Sequence, residues 1–473
     1  MSNVPYAMTI GGERVFADNL GEVVNPATET VVCSYPLATR ADFERAVASA
    51  KDAFVSWSKT PLGVRQAKLH ELSQLIEQKK DTFVDLLITE QGKSRAAAEW
   101  EINGCIHWCD KISRQHLEDE VVVSNPDEEI VTRYTPIGVV GAITPWNFPV
   151  LLAVWKIAPA LLVGNTMVLK PSPYTPLCTL LLGELAQAVL PAGVLNVVSG
   201  GNELGQWITE HPDIGKVSFT GSTATGRRVM QSAASNLKRL TLELGGNDAA
   251  IVLPDVDPKA VAGPLFWAAF ANSAQFCVAC KRLYVHEDIY DELTSEMVAY
   301  AATVKMGNGK DAGTELGPLQ NQMQYEKVVE LLDDSKANGH RFLLGGELPS
   351  GPGYFVPVTL VDNPPESSRC VAEEAFGPIL PILKYRDIEE VIARANDTPY
   401  GLAGSVWGRD VAEAERVARL LETGTVWINQ AHIFSPDIAF GGHKQSGLGI
   451  ENSLHGLAEY ANVQTILRKG KRP

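Results

Sequence analysis

The chain has 473 residues, 45% of them hydrophobic and 21% charged, which indicates a globular protein of two or three domains. Its 56 acidic residues outnumber 41 basic ones and give a formal net charge of −15. This balance argues against partners that need a basic surface, namely nucleic acid and anionic membranes. Seven cysteines are an odd number and dilute for this length, so a disulfide framework is disfavoured and a reducing cytoplasm is expected.

No targeting or membrane-spanning segment is predicted. The segment 1–15 has neither a basic start nor an apolar stretch of the signal-peptide type. The most apolar stretch, residues 150–164, is interrupted by Lys156 and Pro159. It therefore cannot span a bilayer as one continuous apolar helix.

Residues 39 to about 117 have the periodicity of amphipathic helices. After Thr39, apolar residues recur at helical spacing as far as Trp57. A second helix is predicted through a further apolar series, with Gly92 as its stop. That series consists of Leu69, Leu72, Leu75, Ile76, Phe83, Leu86 and Leu87.

From residue 137 the pattern changes to short β-branched runs that alternate with longer helical ones. The strand candidates are residues 137–143, 166–171, 194–200, 216–221 and 239–246. The helices between them are predicted to begin near Leu151, Thr175, Glu203 and Thr225. Such alternation predicts a Rossmann-like parallel sheet with helices on both faces. Because ligands bind these sheets at the carboxyl ends of the strands, polar residues just after the strands are the site candidates.

A second α/β stretch is expected over residues 247–441. Two further segments, residues 128–138 and 459–470, have strand character but little of their own to pack on. We expect them to form a small projecting sheet used for oligomerisation.

Cys277 and Cys280 form a C-x-x-C pair, a spacing found in zinc sites, redox pairs and ordinary cores. A structural zinc site needs four ligands, yet the other close pair is Cys105 and Cys109, and no histidine cluster completes a set. A redox pair normally starts a helix after a strand, whereas a helix-length apolar segment precedes this one. No metal site is therefore expected, and a zinc or redox module stays a minor alternative.

Most of the cysteines are interpreted as packed core thiols, since free cysteine is among the most buried residue types. These are Cys33, Cys105, Cys109, Cys178 and Cys370. Cys280 is interpreted as inert as well. Cys277 differs because partners for a nucleophile exist elsewhere in the chain.

Three such partners follow predicted strands. Glu243 ends a strand and precedes two glycines that leave backbone room beside its carboxylate. Asn147 follows the first strand, where its amide can donate to a developing oxyanion. The loop 219–226 joins a strand to a helix start whose N–H groups suit a pyrophosphate. The glycine-containing segment 307–313 follows no strand and is discounted.

Together with Cys277 these features resemble the aldehyde dehydrogenase superfamily, over nearly the whole chain. The matching stretches, in the family's order, are TPWNFP, KPSPYTP, FTGSTATG, LELGGN, NSAQFC, EEAFGP and FGGHKQSG. The resemblance implies that Cys277 is the nucleophile and Glu243 the general base. It implies an oxyanion hole made of the Asn147 amide and the Cys277 backbone N–H.

The resemblance also implies a nicotinamide cofactor, NAD, with NADP as the alternative. Lys170 is then expected at the adenine ribose, Gly221 and Ser222 near the pyrophosphate, and Glu374 and Phe376 around the nicotinamide ribose and ring. The further cofactor contacts expected are Thr144, Pro145, Trp146, Ser172, Phe219 and Leu244.

The function implied is oxidation of an aldehyde to its carboxylic acid through a cysteine thiohemiacetal and thioester, in a homodimer or homotetramer. The expected fold is α/β, with a cofactor-binding domain, a catalytic domain and an oligomerisation extension. The ranges are 1–116 and 136–246 for the cofactor domain, 247–441 for the catalytic domain, and 117–135 with 442–473 for the extension.

Seven apolar residues are expected to line the aldehyde tunnel. They are Phe148, Leu152, Trp155, Phe276, Val278, Phe434 and Phe440. A phosphorylated or dicarboxylic aldehyde would need a cationic anchor that this set lacks, which favours an aliphatic or aromatic aldehyde. His432 is a candidate contact for a polar substrate group.

Two positions depart from the commonest pattern of the family. Ala274 stands where most members have glycine, and its methyl group is expected to alter the local backbone. Pro173 stands where many NAD-preferring members carry a glutamate that binds the ribose hydroxyls. Without that carboxylate, one acceptor for NAD and one repulsion against a 2′-phosphate are both missing.

Two other functions remain as alternatives. An acylating dehydrogenase would pass the thioester to coenzyme A, but Glu243 argues against it because thiolysis needs no such base. A catalytically inactive member with a binding role would not need Cys277, Glu243 and Asn147 together.

Overall fold

A computed structural model describes residues 6–470; residues 1–5 and 471–473, at the two ends of the predicted domain ranges, lie outside it. The helices are, in chain order, α1 (Arg40–Trp57), α2 (Leu62–Gln78), α3 (Lys80–Glu90), α4 (Arg95–Ile112), α5 (Leu151–Val163), α6 (Leu177–Ala186), α7 (Asn202–Glu210), α8 (Thr223–Ala233), α9 (Pro258–Phe270), α10 (Tyr290–Ala301), α11 (Gln322–Ala337), α12 (Arg369–Ala372), α13 (Ile388–Asn396), α14 (Val411–Ala418) and α15 (Ser453–Ala458). Across the described range, none of these helices combines the length and apolar character needed to cross a membrane.

The strands are, in chain order, β1 (Met8–Ile10), β2 (Glu13–Val15), β3 (Leu20–Asn25), β4 (Thr30–Pro36), β5 (Glu120–Ser124), β6 (Glu128–Pro136), β7 (Val139–Ile143), β8 (Thr166–Lys170), β9 (Leu195–Val197), β10 (Ile214–Thr220), β11 (Arg239–Glu243), β12 (Asp248–Val252), β13 (Cys280–His286), β14 (Phe342–Leu344), β15 (Thr359–Asp362), β16 (Ile379–Tyr385), β17 (Tyr400–Gly401), β18 (Ala403–Trp407), β19 (Thr425–Ile428), β20 (His443–Lys444), β21 (Gly447–Leu448) and β22 (Ala461–Lys469).

The first large sheet has the strand order β2-β1-β9-β8-β7-β10-β11-β21. Its five central strands are parallel, as the βαβ pattern predicts. The sheet as a whole is mixed, because the N-terminal hairpin and β21 add antiparallel strands at its two edges. The chain runs from β7 through β8 to β9 on one side and returns to β10 and β11 on the other. The switch point between β7 and β10 is where such sheets bind ligands.

The second large sheet has the order β14-β15-β16-β13-β12-β18-β19 and is parallel except for β14. Each sheet packs on helices through its own buried apolar residues. The predicted α/β class is confirmed, with two large mixed sheets.

Thr39 caps α1 as the sequence predicts, and its side chain and that of Asp42 satisfy each other's backbone N–H groups. The single helix predicted from Leu69 to Leu87 is wrong. Lys79 leaves helical geometry, with φ −107° and ψ 13°, and separates α2 from α3. The change of direction lets the apolar faces of both helices reach one core.

A three-stranded sheet in the order β22-β6-β5 stands apart from the two large ones. β22 and β6 pair over nine residues, from Ala461 opposite Pro136 to Lys469 opposite Glu128. Val121 and Leu467 are among its exposed apolar side chains.

Candidate active site

The carboxyl edge of the first sheet collects residues that are far apart in sequence. Asn147 lies in the loop after β7, Lys170 ends β8, Gly221 follows β10 and Glu243 ends β11. Because these strands are parallel and adjacent, their ends meet at one edge on either side of the switch point. The strand order thus brings four of the predicted site residues to a common edge.

The Asn147 side chain faces the segment that carries Cys277. Its amide Nδ2 donates a hydrogen bond to the backbone carbonyl of Gln275, at 3.1 Å, two residues before the cysteine. The backbone carbonyl of Asn147 accepts from the Lys93 ammonium and from the Asn272 amide. A side-chain amide nitrogen carries two N–H groups. Asn147 therefore keeps a second N–H that can donate to the oxygen of a molecule bound to the Cys277 sulfur.

A buried ion pair that the sequence analysis did not identify supports this loop. Lys93 and Glu101 are fully buried, with Lys93 Nζ 3.4 Å from Glu101 Oε2. The other Glu101 oxygen accepts from the backbone N–H groups of Val150 and Leu151, at 3.0 and 3.2 Å. The Lys93 ammonium also lies 4.0 Å from the centre of the Phe148 ring. These contacts hold the loop between β7 and α5 at its middle and at its junction with α5.

Glu243 is buried, and neither of its carboxylate oxygens accepts a hydrogen bond from the residues described. Burial raises the pKa of this carboxyl well above its ordinary value. The nearby Glu451 raises the pKa further, whereas Lys156, which is 2.6 Å from Glu451, lowers it. A carboxylate that binds a proton more readily than usual is suited to general base chemistry near neutral pH.

The backbone leading to Cys277 is held in an uncommon conformation. Asn272, Ser273 and Ala274 have φ values of 53°, 55° and 59° in succession. Left-handed geometry costs a residue with a side chain about 1–2 kcal/mol, and glycine avoids most of that cost. The structure therefore supplies a reason for the glycine commonly found at the position of Ala274. The turn is held in part by Ser273, whose hydroxyl donates to the Gly317 carbonyl at 2.6 Å.

The Cys277 thiol lies in a strongly charged environment. Burial raises its pKa to about 12; Lys281 lowers that pKa, while Asp248, Glu243 and Glu374 raise it. Burial and the neighbouring carboxylates therefore favour the protonated thiol. Any stabilisation of its thiolate by the site directly increases its reactivity.

Gly245 and Gly246 allow two groups to approach the backbone beside Glu243. A Cβ atom at Gly245 would lie 2.2 Å from Glu374 Oε2, and one at Gly246 would lie 2.9 Å from the Cys277 carbonyl. Glu374 also accepts a hydrogen bond from the Gly246 N–H, at 3.1 Å. The two glycines predict backbone room beside Glu243, and the structure fills that room with Glu374 and the cysteine loop.

The predicted cofactor residues form a donor set that fits a dinucleotide. Lys170 is a buried amine, and its burial lowers its pKa to about 8. Gly221 and Ser222 precede α8, where Ser222 caps the helix by accepting from the Thr225 N–H at 3.3 Å. The N-terminus of α8 suits a pyrophosphate, and the Glu374 carboxylate is an acceptor of the kind that ribose hydroxyls need.

The remaining predicted cofactor residues surround the same edge. The ring centres of Trp146 and Phe376 are 5.4 Å apart and nearly perpendicular. Leu244 packs against α8, since a Cβ at Gly226 would lie 2.5 Å from it. The other four lie at the strand ends. The Thr144 backbone N–H donates to the Lys170 carbonyl, and Pro145, the next residue, is half-buried. Ser172 is buried after β8, and the Phe219 ring covers Gly221.

The model of the aldehyde dehydrogenase family matches residues 16–466 of the chain. A Pseudomonas protein described as a probable aldehyde dehydrogenase is 42% identical over 467 residues, which cover 98% of this chain and 94% of that protein. The chain belongs to the aldehyde dehydrogenase family. The human retinaldehyde dehydrogenase 3 is 40% identical over 461 residues, covering 94% of this chain and 89% of its own length.

Solved structures of aldehyde dehydrogenases share this fold. The betaine aldehyde dehydrogenase from Staphylococcus aureus, solved in complex with NAD+, superposes with a TM-score of 0.95 at 34% identity, covering 98% of this chain and 94% of its own. A variant of a Bacillus cereus aldehyde dehydrogenase gives 0.96 at 35% identity, covering 99% and 98%. The enzyme is therefore an NAD(P)-dependent oxidoreductase that acts on aldehydes.

The predicted tunnel residues of this aldehyde dehydrogenase form an aromatic cluster next to Cys277. Phe276, which precedes Cys277, lies 4.6 Å from the Phe148 ring and 5.9 Å from the Phe434 ring. Trp155 lies 5.7 Å from Phe440 and 6.3 Å from Phe434. Leu152 is half-buried against the same core, and Val278 is buried.

His432 joins this cluster from the loop after β19. Its ring lies 4.6 Å from that of Phe276, and its Nε2 is 3.2 Å from the Val278 carbonyl. Burial lowers its pKa to about 4, so the imidazole is neutral at neutral pH. His432 therefore adds a polar edge to the cluster without adding a charge.

Cys280 begins β13 and is not part of this cluster. Its thiol donates to the Arg282 carbonyl at 3.6 Å, and burial raises its pKa to about 12. Over residues 6–470, no grouping of three or more histidine, cysteine or acidic side chains is arranged to hold a metal ion.

Proposed function

We propose that the enzyme oxidises an aliphatic or aromatic aldehyde to its carboxylic acid through a covalent adduct on Cys277. The observation that carries this proposal is the convergence of three distant segments on one sulfur. The Asn147 amide donates a hydrogen bond to the carbonyl of Gln275, two residues before Cys277. The Glu243 carboxylate, which has no hydrogen-bond partner among the described residues, is close enough to raise the pKa of the Cys277 thiol. Nucleophile, oxyanion donor and base are the parts that this reaction requires.

In the first half-reaction, the Cys277 thiolate adds to the aldehyde carbon and the carbonyl oxygen becomes an oxyanion. The free N–H of the Asn147 amide and the Cys277 backbone N–H donate to that oxygen and stabilise its charge. A bound nicotinamide supplies the acceptor for the hydride that leaves the tetrahedral carbon. The carbon is then held as a thioester on Cys277.

In the second half-reaction, the Glu243 carboxylate takes a proton from a water molecule, and the resulting hydroxide attacks the thioester carbon. The carbon–sulfur bond breaks, and the products are the carboxylic acid and the Cys277 thiolate. Burial keeps the Glu243 carboxyl away from bulk water, which favours proton transfer within the site.

NAD is the proposed cofactor, with NADP as an accepted alternative. The support is the set of polar groups formed by the Lys170 amine, the N-terminus of α8 and the Glu374 carboxylate, together with NAD+ in the related Staphylococcus aureus enzyme. Pro173 carries no carboxylate, and its backbone carbonyl accepts from the Tyr35 hydroxyl at 3.0 Å. Without a negative charge at this position, a 2′-phosphate meets no repulsion from this side chain.

The cofactor proposal is tested by measuring kcat/KM with NAD and with NADP. We expect NAD to be preferred and NADP to support measurable turnover. Pro173→Glu should depress the NADP value selectively, because a carboxylate would then face the 2′-phosphate. An absence of any NADP rate in the unchanged enzyme would contradict the role given to Pro173.

The substrate class rests on the aromatic cluster around Phe276. None of the seven predicted tunnel residues is charged, and Lys93, whose ammonium lies 4.0 Å from the centre of the Phe148 ring, is paired with Glu101. A carboxylate or phosphate on the substrate would therefore lose its hydration without gaining an ionic partner. The aromatic cluster around Phe276 therefore favours uncharged aldehydes as substrates.

A panel of aldehydes assayed by nicotinamide reduction tests the proposal. Alkyl and aryl aldehydes should exceed semialdehydes that carry a carboxylate or phosphate in kcat/KM. Cys277→Ala, assayed beside the unchanged protein, should show no turnover with any of them. Equal activity on charged semialdehydes would overturn the substrate assignment and leave the reaction type standing.

The coenzyme A-acylating alternative is separated by product analysis. Glu243 favours hydrolysis, since its buried, unpartnered carboxylate is placed to activate water. Carboxylic acid formed in the absence of coenzyme A supports the hydrolytic route, and a strict need for coenzyme A contradicts it. An inactive binding protein would give no product under either condition.

The exposed apolar side chains of the β22-β6-β5 sheet support a homodimer or homotetramer. Light scattering coupled to size exclusion distinguishes the two. The domain ranges predicted from the sequence and the cytoplasmic location remain part of this proposal. Limited proteolysis, with cleavage between the predicted ranges, tests the domain boundaries.

A further inference from the structure

Lys281 is a charged residue of the site that lies outside the motifs of the family resemblance. It follows Cys277 by four residues on β13, and it is buried. Its ammonium donates to the Cys277 carbonyl at 2.6 Å and to the Ala279 carbonyl at 3.4 Å. It also lies 3.4 Å from Glu374 Oε1. A buried lysine is rare and requires partners, and here the partners are the nucleophile's backbone and the carboxylate proposed to contact the nicotinamide ribose.

The charges around the sulfur are otherwise negative. Asp248 faces it from β12, Glu243 from β11 and Glu374 from the segment after α12, and each of them raises the pKa of the Cys277 thiol. Among the described groups that act most strongly on this thiol, Lys281 is the cation. Three carboxylates without a compensating charge would oppose formation of a thiolate.

The other groups that face Lys281 do not take over this task. His432, from the loop after β19, is held neutral by burial. Asp248 is buried without a side-chain hydrogen bond among the described residues, and burial raises its pKa to about 7 while Lys281 lowers it. Lys281 therefore offsets the field of several acidic groups at once, and it does so from a position fixed by two backbone carbonyls.

We propose that Lys281 is a positioning residue that stabilises the Cys277 thiolate by its charge and ties the nucleophile's backbone to Glu374. The inference rests on the proposed function, in which Cys277 is the nucleophile and Glu374 contacts the nicotinamide ribose. It adds a specific electrostatic link between the reacting sulfur and the cofactor site. Lys281 hydrogen-bonds to the Cys277 carbonyl and pairs with Glu374, so its effect passes through these two residues.

The test measures the rate at which iodoacetamide alkylates Cys277 in the purified full chain, with peptide mass spectrometry to distinguish Cys277 from the six other cysteines. Lys281→Met keeps the length of the side chain and removes the charge. A rise of one pKa unit reduces the thiolate fraction about tenfold. The remaining thiolate becomes more nucleophilic, so the net rate at pH 8 should fall roughly three- to fivefold.

Glu374→Gln provides the opposite arm, because it removes a negative charge at nearly constant shape. Its alkylation rate should rise above that of the unchanged protein, while its KM for NAD increases. Lys281→Arg retains the charge and should stay near the unchanged rate. A lysine that merely satisfies carbonyl groups would not give effects of opposite sign in these variants.

Lys238→Met is the matched control for loss of a buried ammonium. Lys238 is also buried and donates to the backbone carbonyls of His211 and Ile214, but it lies outside the site. Its alkylation rate at Cys277 should equal that of the unchanged protein. Thermal unfolding of every variant shows whether it is folded, and Lys281→Gln replaces Lys281→Met if the latter is not.

The proposal is overturned if Lys281→Met or Lys281→Gln alkylates as fast as the unchanged protein, or if the lysine and glutamate variants shift in the same direction. Failure of the proposed function gives a different result. In that case Cys277→Ala would still oxidise aldehydes, whatever the alkylation rates of the Lys281 variants.

Discussion

The two loops that meet at the site are held by different forces. The loop of Asn147, after β7, is supported by the buried Lys93–Glu101 pair, which bonds to the Asn147 carbonyl in the middle of the loop and to the backbone at its end. The loop of Cys277, before β13, contains a run of left-handed residues and is held by hydrogen bonds from the Ser273 hydroxyl and the Lys281 ammonium. One loop is positioned by a buried ion pair, and the other keeps a strained backbone because hydrogen bonds hold it.

The difference matches what the proposed reaction requires of each loop. Asn147 only has to donate from a constant position, so a rigid ionic support is sufficient. Cys277 has to form and break a bond to carbon, so its surroundings must set both its position and its thiolate content. Substitutions that act on only one loop separate these two requirements.

The largest effect is expected from Cys277→Ala, which removes the nucleophile and leaves the rest of its loop in place. Turnover should fall by about 10⁴-fold or more, as in other enzymes that lose a nucleophile. Nicotinamide reduction with an alkyl aldehyde measures it. Cys280→Ser, three residues away on β13, is the control and should retain most of the activity. A large loss in Cys280→Ser would instead support the redox-linked cysteine pair.

Lys93→Met should weaken the Asn147 loop by leaving the Glu101 carboxylate buried without its partner. Breaking a buried ion pair from one side lowers the free energy of unfolding by about 3–5 kcal/mol. Urea denaturation measures it. Lys51→Met, which removes an exposed pair with Asp213, should cost at most about 1 kcal/mol. Equal losses in the two variants would show that the Lys93 pair gives no special support.

Asn147→Ala removes the oxyanion donor and should slow turnover by ~10²–10³-fold. The rate of Cys277 alkylation should change little, because the amide is not a charge that acts on the thiol. Normal turnover in this variant would exclude Asn147 from the oxyanion hole. Measuring both turnover and Cys277 alkylation therefore distinguishes the function of the Asn147 loop from that of the cysteine loop.

The acid limb of the pH profile should report Glu243. Its raised pKa means that the carboxyl is still protonated at a pH where an exposed glutamate is ionised. The base form exists only above that pKa, so the rate of thioester hydrolysis should fall about tenfold per pH unit below it. Rapid-quench measurement of the rate of acyl-enzyme decay between about pH 5 and 8 follows this dependence. Glu243→Gln should hydrolyse the thioester slowly, and its rate should not depend on pH in this range.

The smallest effect is expected from Ala274→Gly in the strained turn of the cysteine loop. Glycine relieves the left-handed strain but increases the entropy of the unfolded chain, so the stability gain should be at most about 1 kcal/mol. Ala271→Gly, at φ −50° in the same segment, should instead destabilise by about 0.4–1 kcal/mol. Changes of the same sign in both would show that the backbone at Ala274 is not strained.

Patterns that depend on neighbours in sequence predicted much of the fold. Thr39 caps α1 as expected, and the strand–helix alternation from residue 137 produced the parallel centre of the first sheet. The division of the second predicted helix at Lys79 was missed, because the apolar spacing continues through the break. Local periodicity indicates which face of a helix is apolar, but it does not indicate where one helix ends and the next begins in a new direction.

The sequence alone identified Cys277, Glu243 and Asn147 as candidate catalytic residues. Lys93, Glu101 and Lys281 were missed. Glu101, between Trp100 and Ile102, is a charge flanked by apolar residues, whereas Lys93 lies among polar residues and Lys281 precedes Arg282, so their neighbours in sequence give no such signal.

The sequence by itself determined the α/β class and the family and supplied the candidates for the reacting groups, since these depend on residue types and on short-range spacing. Only the tertiary structure decided which charges surround the sulfur and what holds each loop. Lys93 reaches a carbonyl 54 residues away, and Asn147 reaches one 128 residues away. Burial and electrostatic coupling arise from such distant approaches, and no local pattern encodes them.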